Sequence, residues 1–470
     1  MKAEAIDQLL FKKGYQGITI SSKIAVLVIL ALFILTGTIL YFSSSQGIPF
    51  YPQFLLNNNS SKLSSKDDAD HSSKLASPYP YPYPYPYPYP YPSPSLSPSP
   101  NNGDHSSKLL SPNDDDVKNS SIREESKVKN CDLFSGEWIP NPEAPYYTNV
   151  TCFEIQEHQN CMKFGKPDLG FMKWRWKPNE CELPIFSPTE FLELVRGKSM
   201  AFVGDSVARN HMQSLLCLLS RVASPKDVSD SQDSDFKRFI YTDYNFTIAK
   251  FWSTHLVKSE EKSFNLFNLY LDEPDEKWST RIEEFDYLII SAGHWFIRPT
   301  YSYEARRLVG CLFCSEQNMT YLSPAYSYQK AFQTAFKAIN SLKNYKGVTF
   351  LRTFAPSHFE GGVYNKGGDC VRKRPFLNNE TRLEGWNLEM YKAQVEEFRI
   401  AVEEGKKRGL KFRLIDTTQA MLMRPDGHPS RFGHLPHADV AMYNDCVHWC
   451  LPGPIDAWND FLLEMLKTQS

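Results

Sequence analysis

Ser206, in the run Gly204-Asp205-Ser206, and the pair Asp445 and His448, in Asp445-Cys446-Val447-His448, are the residues of this chain best able to do chemistry together. A hydroxyl, a carboxylate and an imidazole are the minimum set for passing an acyl group through a serine ester. The imidazole removes the hydroxyl proton and the carboxylate orients the imidazole. Each motif alone has a bland reading. Gly-Asp-Ser also describes a helix N-cap, and a single histidine is more often structural than catalytic. The tripeptide early in the fold combined with Asp-x-x-His near its end favours acyl transfer, with Ser206 as nucleophile, His448 as base and Asp445 as the group orienting it.

The surrounding elements must bring these residues together. Residues 199–203 read as a short apolar strand, followed by a helix over 207–219 with Met212, Leu215, Leu216 and Leu219 on one face. That places Ser206 where a parallel strand ends and a helix begins, the edge at which open α/β sheets bind ligands, with its N–H pointing where an oxyanion would form. Further buried strands are expected at 264–271, 287–291, 348–354 and 412–415, with helices at 328–342, 386–407 and 455–466. Strands separated by helices indicate an α/β fold, a parallel sheet flanked by helices. Residues 131–198, with four cysteines and many turn formers, should wrap the 199–470 core as a disulfide-pinned N-terminal segment. Cys446 and Cys450 bracket His448, so disulfides there would hold the imidazole rigidly.

The chain has 470 residues and a formal charge of −2, which leaves no basic field for a nucleic acid or a strongly acidic polymer. Residues 24–42 are uncharged and apolar and span ~28 Å as a helix, enough for a bilayer core. Lysines 12, 13 and 23 precede this run, so the expected topology is a cytosolic tail over 1–23, a transmembrane signal anchor over 24–42, and a lumenal remainder. Residues 43–130 are Ser, Pro, Asn and Asp with little to bury, a disordered stem. Within it, seven Tyr-Pro dipeptides over 79–92 form a polyproline II spacer of ~43 Å. All ten cysteines fall in 131–450, an even number that reads as up to five disulfides in an oxidising compartment, with Cys311-x-x-Cys314 as a local bridge. Glycosylation triplets at Asn149, Asn245, Asn318 and Asn379, and at Asn119 in the stem, agree with a lumenal location.

The combination of Gly204-Asp205-Ser206 with Asp445-x-x-His448 resembles the plant trichome-birefringence-like polysaccharide O-acetyltransferases, whose catalytic domain is related to the GDSL/SGNH esterases. The likeness covers 131–470 and includes Cys131-Asp-Leu-Phe-Ser-Gly-Glu-Trp138, Phe171-Met-Lys-Trp-Arg-Trp-Lys-Pro178, Gly293-His294-Trp295 and Asp445-Cys-Val-His-Trp-Cys450. Phe354-Ala-Pro-Ser-His-Phe-Glu-Gly-Gly362 and Arg424-Pro-Asp-Gly-His-Pro-Ser430 are similar to the xyloglucan and mannan branch. The resemblance implies a Golgi-membrane type II enzyme that acetylates a hemicellulose through an acetyl-serine, with xyloglucan galactosyl side chains first as acceptor and mannan second. It implies no metal and no permanently bound cofactor. The acetyl donor stays open between acetyl-CoA and a membrane protein that hands the group over. Gly204, Asp205, Arg209, Asn210, Gly293, Trp295 and Trp449 are candidates for the oxyanion hole or substrate contact, although His294-Trp295 follows Gly293 where the esterase relatives lead one to expect Asn-Asp. Trp174 and Trp176 could stack on sugar rings, but pinning the wrapping segment to the core is the favoured reading. Two other functions use the same residues: an acetyl esterase, in which water takes the acyl group, and a polysaccharide-binding protein with a dead serine.

Overall fold

The fold follows from strands whose two faces are both buried. The computed structural model describes residues 131–468 except 231, 264, 317, 365 and 436–443. The anchor and stem expected over 24–42 and 43–130 lie outside the described residues, among which no helix is long and apolar enough to cross a membrane. In chain order the strands are β1 (Gly136–Pro140), β2 (Trp174–Pro178), β3 (Ser199–Gly204), β4 (Lys226–Asp227), β5 (Phe236–Tyr241), β6 (Phe246–Trp252), β7 (Val257–Ser263), β8 (Leu266–Pro274), β9 (Tyr287–Ser291), β10 (Thr300–Glu304), β11 (Arg307–Leu312), β12 (Val348–Arg352) and β13 (Lys411–Ile415). The helices are α1 (Pro188–Leu194), α2 (Ser206–Leu219), α3 (Glu276–Ser279), α4 (Pro324–Ser341), α5 (Gly385–Lys406), α6 (Thr418–Leu422) and α7 (Ala457–Lys467).

A central sheet runs in the order β13-β12-β9-β3-β6-β5-β4. Its first five strands are parallel, and β5 and β4 add an antiparallel edge. In β3 the alternation of a strand sends Met200 and Phe202 to one face and Ala201 and Val203 to the other. Met200 and Phe202 pack with α2, α7 and the wrapping segment, through Leu215, Trp458 and Trp176. Ala201 and Val203 pack with α4 and α5, through Phe332 and Phe398. Fully burying one such aromatic contributes about 2–3 kcal/mol, so both faces need their helices.

Three expectations are corrected. The strand expected at 264–271 is β8, which belongs to a separate four-stranded sheet, β11-β10-β8-β7, and not to the central one. The central sheet instead contains β6, which the sequence reading missed because Lys250 and Thr247 interrupt its apolar run. Residues 131–198 are also less irregular than expected, since β1 and β2 pair antiparallel and α1 follows. Trp176 is buried, its indole N–H donating to Leu133 O at 3.0 Å, so it fastens this segment and offers no sugar platform.

All ten cysteines pair, as Cys131–Cys181, Cys152–Cys217, Cys161–Cys450, Cys311–Cys314 and Cys370–Cys446. Two of these bridges bind the wrapping segment to the core. Asn245, Asn318 and Asn379 are exposed and Asn149 is half-buried.

Helix α7 carries a titratable group with a measurable consequence. Asp460 accepts the Phe186 N–H at 2.9 Å, and burial raises its carboxyl to about 7, against an ordinary 3.8. An acid with a raised folded pKa takes up its proton more readily in the folded state, so its contribution to stability falls as pH rises from about 4 to 7. Asp460→Asn is therefore expected to have a higher Tm than the parent at pH 8 and an equal Tm below about pH 4. Thermal melts across that range check it, and a lower Tm at pH 8 contradicts it.

Candidate active site

One glycine and one carboxylate shape the turn that carries Ser206. Gly204 has φ +152, and a Cβ there would stand 1.7 Å from Ser291 O on β9, so only glycine lets the two strand ends approach. Asp205 is buried and caps α2: its Oδ1 accepts the N–H groups of Val207 at 2.9 Å and Ala208 at 3.4 Å, and its Oδ2 accepts the Gly293 N–H at 3.0 Å. The turn is thereby fastened to the end of β9. Ser206 opens α2, partly exposed, and its hydroxyl has no hydrogen bond among the described residues.

Asp445 and His448 form the second half of the site. His448 Nδ1–H donates to Asp445 Oδ2 at 2.8 Å, while Asp445 Oδ1 accepts the N–H of Val447 at 3.1 Å and of His448 at 2.9 Å. Burial alone would raise the Asp445 carboxyl, but the charge of a protonated His448 and these hydrogen bonds outweigh it and hold the group well below the usual carboxylate range. His448 Nε2 is buried and has no partner among the described residues. It is the one ring nitrogen left to take a proton.

This loop is fixed from several directions. Cys446 is bridged to Cys370 and Cys450 to Cys161. Asp445 and Ser430 exchange backbone hydrogen bonds at 2.8 and 2.9 Å, and Cys450 N–H donates to Gly427 O at 3.0 Å. Lys166, from the wrapping segment, is buried and donates to the carbonyls of Asp426 and His428, both at 2.6 Å. Asn210, one turn beyond Ser206 on α2, accepts the Trp449 N–H at 2.8 Å and donates to Trp449 O at 3.4 Å. Those two bonds hold the residue after His448 against the helix that begins at Ser206.

Several candidates are thereby reassigned. Asn210 is fully buried and both ends of its amide are committed to Trp449, so it is a clamp and not an oxyanion donor. The Gly293 N–H is taken by Asp205. Trp449 is fully buried and stacked on His428 with centroids 4.0 Å apart, out of reach of substrate. Trp295 is half-buried, with the Arg298 guanidinium 3.6 Å from its ring centroid and its ring perpendicular to that of Trp252. Arg209 is partly exposed, stacks on Trp252 at 5.0 Å, and its Nε has no partner among the described residues.

The sequence reading missed His158. Its ring meets that of His448 edge-on, centroids 4.9 Å apart, and burial, followed by the His448 charge, lowers it to about 4, so it is neutral near neutral pH. Nothing in its spacing announces this; the Cys161–Cys450 bridge and the bond from the Leu451 N–H to Gln159 O at 2.9 Å bring its segment to the site. Ligand atoms of His158, Asp445 and His448 all lie within 4.8 Å of one another, a grouping that could hold a metal ion. His294, the middle residue of Gly293-His294-Trp295, also lies near the site. Burial lowers it to about 4, it has a ring nitrogen 2.9 Å from Ala355 O, and it feels the charges of both Asp205 and His448.

Residues 183–465 match the GDSL/SGNH-like acyl-esterase family found in Pmr5 and Cas1p, and residues 129–182 match the PMR5 N terminal domain. Over 347 residues the chain is 61% identical to Protein trichome birefringence-like 19 of Arabidopsis thaliana, which covers 72% of this chain and 81% of that one. It is 45% identical over 353 residues to Xyloglucan O-acetyltransferase 4 of Populus trichocarpa, covering 74% and 83% of the two chains. The corresponding figures for xyloglucan O-acetyltransferase 2 of Arabidopsis thaliana are 42% over 345 residues, covering 72% and 83%.

Proposed function

The chain belongs to the GDSL/SGNH-like acyl-esterase family found in Pmr5 and Cas1p, among its trichome birefringence-like members, and on that premise we propose that it transfers acetyl groups to a xyloglucan through an acetyl-serine on Ser206. The observation that carries this reading is the Asp445–His448 pair with His448 Nε2 free, tied by Asn210 to the helix that starts at Ser206. Relatives named xyloglucan O-acetyltransferases support the acceptor class.

His448 Nε2 takes the Ser206 proton as Oγ attacks the acetyl carbonyl carbon of the donor. The Nδ1–H bond to Asp445 stabilises the imidazolium that forms. The tetrahedral intermediate collapses, the donor's leaving group departs with the proton from His448, and acetyl-Ser206 remains. A sugar hydroxyl then gives its proton to His448 and attacks the ester; the second tetrahedral intermediate collapses, His448 passes that proton to the departing Ser206 Oγ, and the acetylated sugar is released. The Ser206 N–H, at the α2 N-terminus, and the Arg209 guanidinium, three residues on along the same helix face, are the donors for the oxyanion. Arg209→Met is expected to lower kcat by about 10²-fold with little change in KM for the acceptor, and a steady-state comparison checks it.

Acceptor choice is tested by incubating the protein with a labelled acetyl donor and separate xyloglucan and mannan oligosaccharides. Acetylated xyloglucan oligosaccharide is the expected product, with the label on a galactosyl residue. Free acetate as the sole product would identify a hydrolase. The apolar run over 24–42, the polar stem and the disulfide-rich remainder support a type II Golgi-membrane protein with its catalytic domain in the lumen.

A further inference from the structure

The segments 354–362 and 424–430 each contribute one buried histidine that takes no part in the transfer chemistry above. The rings of His358 and His428 meet Nδ1 to Nε2 at 2.7 Å. The other nitrogen of each ring faces a backbone carbonyl: His358 Nε2 is 2.9 Å from Leu422 O, and His428 Nδ1 is 2.7 Å from the carbonyl oxygen of His448 itself. A carbonyl only accepts, so both of these nitrogens must carry a proton. The contact between the rings requires a third, because two bare lone pairs at 2.7 Å repel. Two neutral imidazoles hold only two protons between them.

We propose that His358 and His428 share one additional proton as a buried monocation, whose His428 Nδ1–H fixes the carbonyl of His448 and makes His428 a positioning residue for the base. Burial lowers the proton affinity of each ring taken alone. The pair, however, buries one charge and not two, and a charge-assisted bond between the rings is stronger than a neutral one. Asp426 and Glu360 face His358 and favour the proton, as Asp445 does from the side of His428; His294 and Lys166 oppose it. Arg424 is bonded to Asp426 at 2.8 Å and 3.0 Å.

The consequence for catalysis is geometric. The backbone N–H of His358 donates to Cys446 O at 3.1 Å, and the Trp449 indole covers the His428 ring. The backbone around His448 is therefore held at its carbonyl by His428, at its N–H by Asp445, and at the following N–H by Asn210. Loss of the shared proton leaves two protons for three contacts, so one of them, between the rings, at Leu422 O or at His448 O, must give way, and the shell that aims the imidazole loosens. Displacements of this kind in a positioned base are enough to lower a rate.

The proton count is read directly by NMR of the folded, ¹⁵N-histidine-labelled protein. Three N–H protons on the two rings, one of them strongly deshielded and lost in His358→Asn, is the expected result. Two neutral tautomers with one N–H each, at a pH where the protein is active, overturns the proposal. The positioning role rests on the acetyl-transfer reading and has its own readout. His358→Asn places an amide N–H where the Nδ1–H stood, with no proton to titrate, so it should keep most of the kcat and lose the alkaline fall of the parent profile. His358→Leu, with no donor, should lower kcat about tenfold at every pH. An Asn variant whose pH profile matches the parent overturns the positioning role. The N–H count needs no turnover, so its failure and the failure of the acetyl-transfer reading are told apart.

Discussion

Ser206→Ala is expected to lower acetyl transfer by at least about 10⁴-fold while leaving Tm within about 1 °C of the parent. The two parts of this expectation have separate physical grounds. The rate falls because no other group can form the ester through which the acetyl passes. Stability holds because the Ser206 hydroxyl has no hydrogen bond among the described residues, and the cap of α2 belongs to Asp205. Steady-state transfer assays and thermal melts on the same preparations check both halves. A polysaccharide-binding protein with a dead serine would instead keep its full function in this variant.

The second large effect is expected at Asp445. An asparagine keeps the acceptor for the N–H groups of Val447 and His448, so the loop survives. Its amide N–H₂, however, turns toward His448 Nδ1 as a donor. That forces the imidazole proton onto Nε2, the atom that must receive the serine proton, and the base is disabled without being moved. Asp445→Asn should lower kcat by about 10³- to 10⁴-fold. The substitution also changes the acid limb of stability. A carboxyl held below its unfolded value stabilises the fold above about pH 4 and loses that contribution as pH falls through the folded value. Asp445→Asn should therefore be less stable than the parent at pH 7 and approach it in strong acid. A variant with kcat within tenfold of the parent would remove Asp445 from the chemistry.

How far the sequence could be read depended on how local each signal was. β9 and the strand start of β12 are apolar runs bounded by polar residues, and their positions were legible. The start of α4 was not, although Ser323 caps it and Pro324 opens it, because Tyr326 and Ser327 do not extend the apolar stripe. β6 stayed hidden because a buried lysine breaks the expected texture of a central strand. At the site, the Gly204 turn and the Asp-x-x-His spacing could be read, since each concerns neighbours in the chain. The fates of Asn210, Gly293 and Trp449 could not. Each is decided by a partner far away in sequence: the Trp449 backbone for Asn210, Asp205 for Gly293, and the His428 ring for Trp449. His158 was invisible for the same reason, brought in by a bridge of 289 residues' separation.

The direct test of the account is to trap the intermediate. The full chain is given labelled acetyl donor without acceptor, quenched, digested, and the peptide containing Ser206 is read by tandem mass spectrometry. The account predicts one acetyl group on the Ser206 oxygen, discharged when xyloglucan oligosaccharide is added before the quench. Transfer to the oligosaccharide with Ser206 never acetylated, or with the acetyl group on another residue, would contradict it.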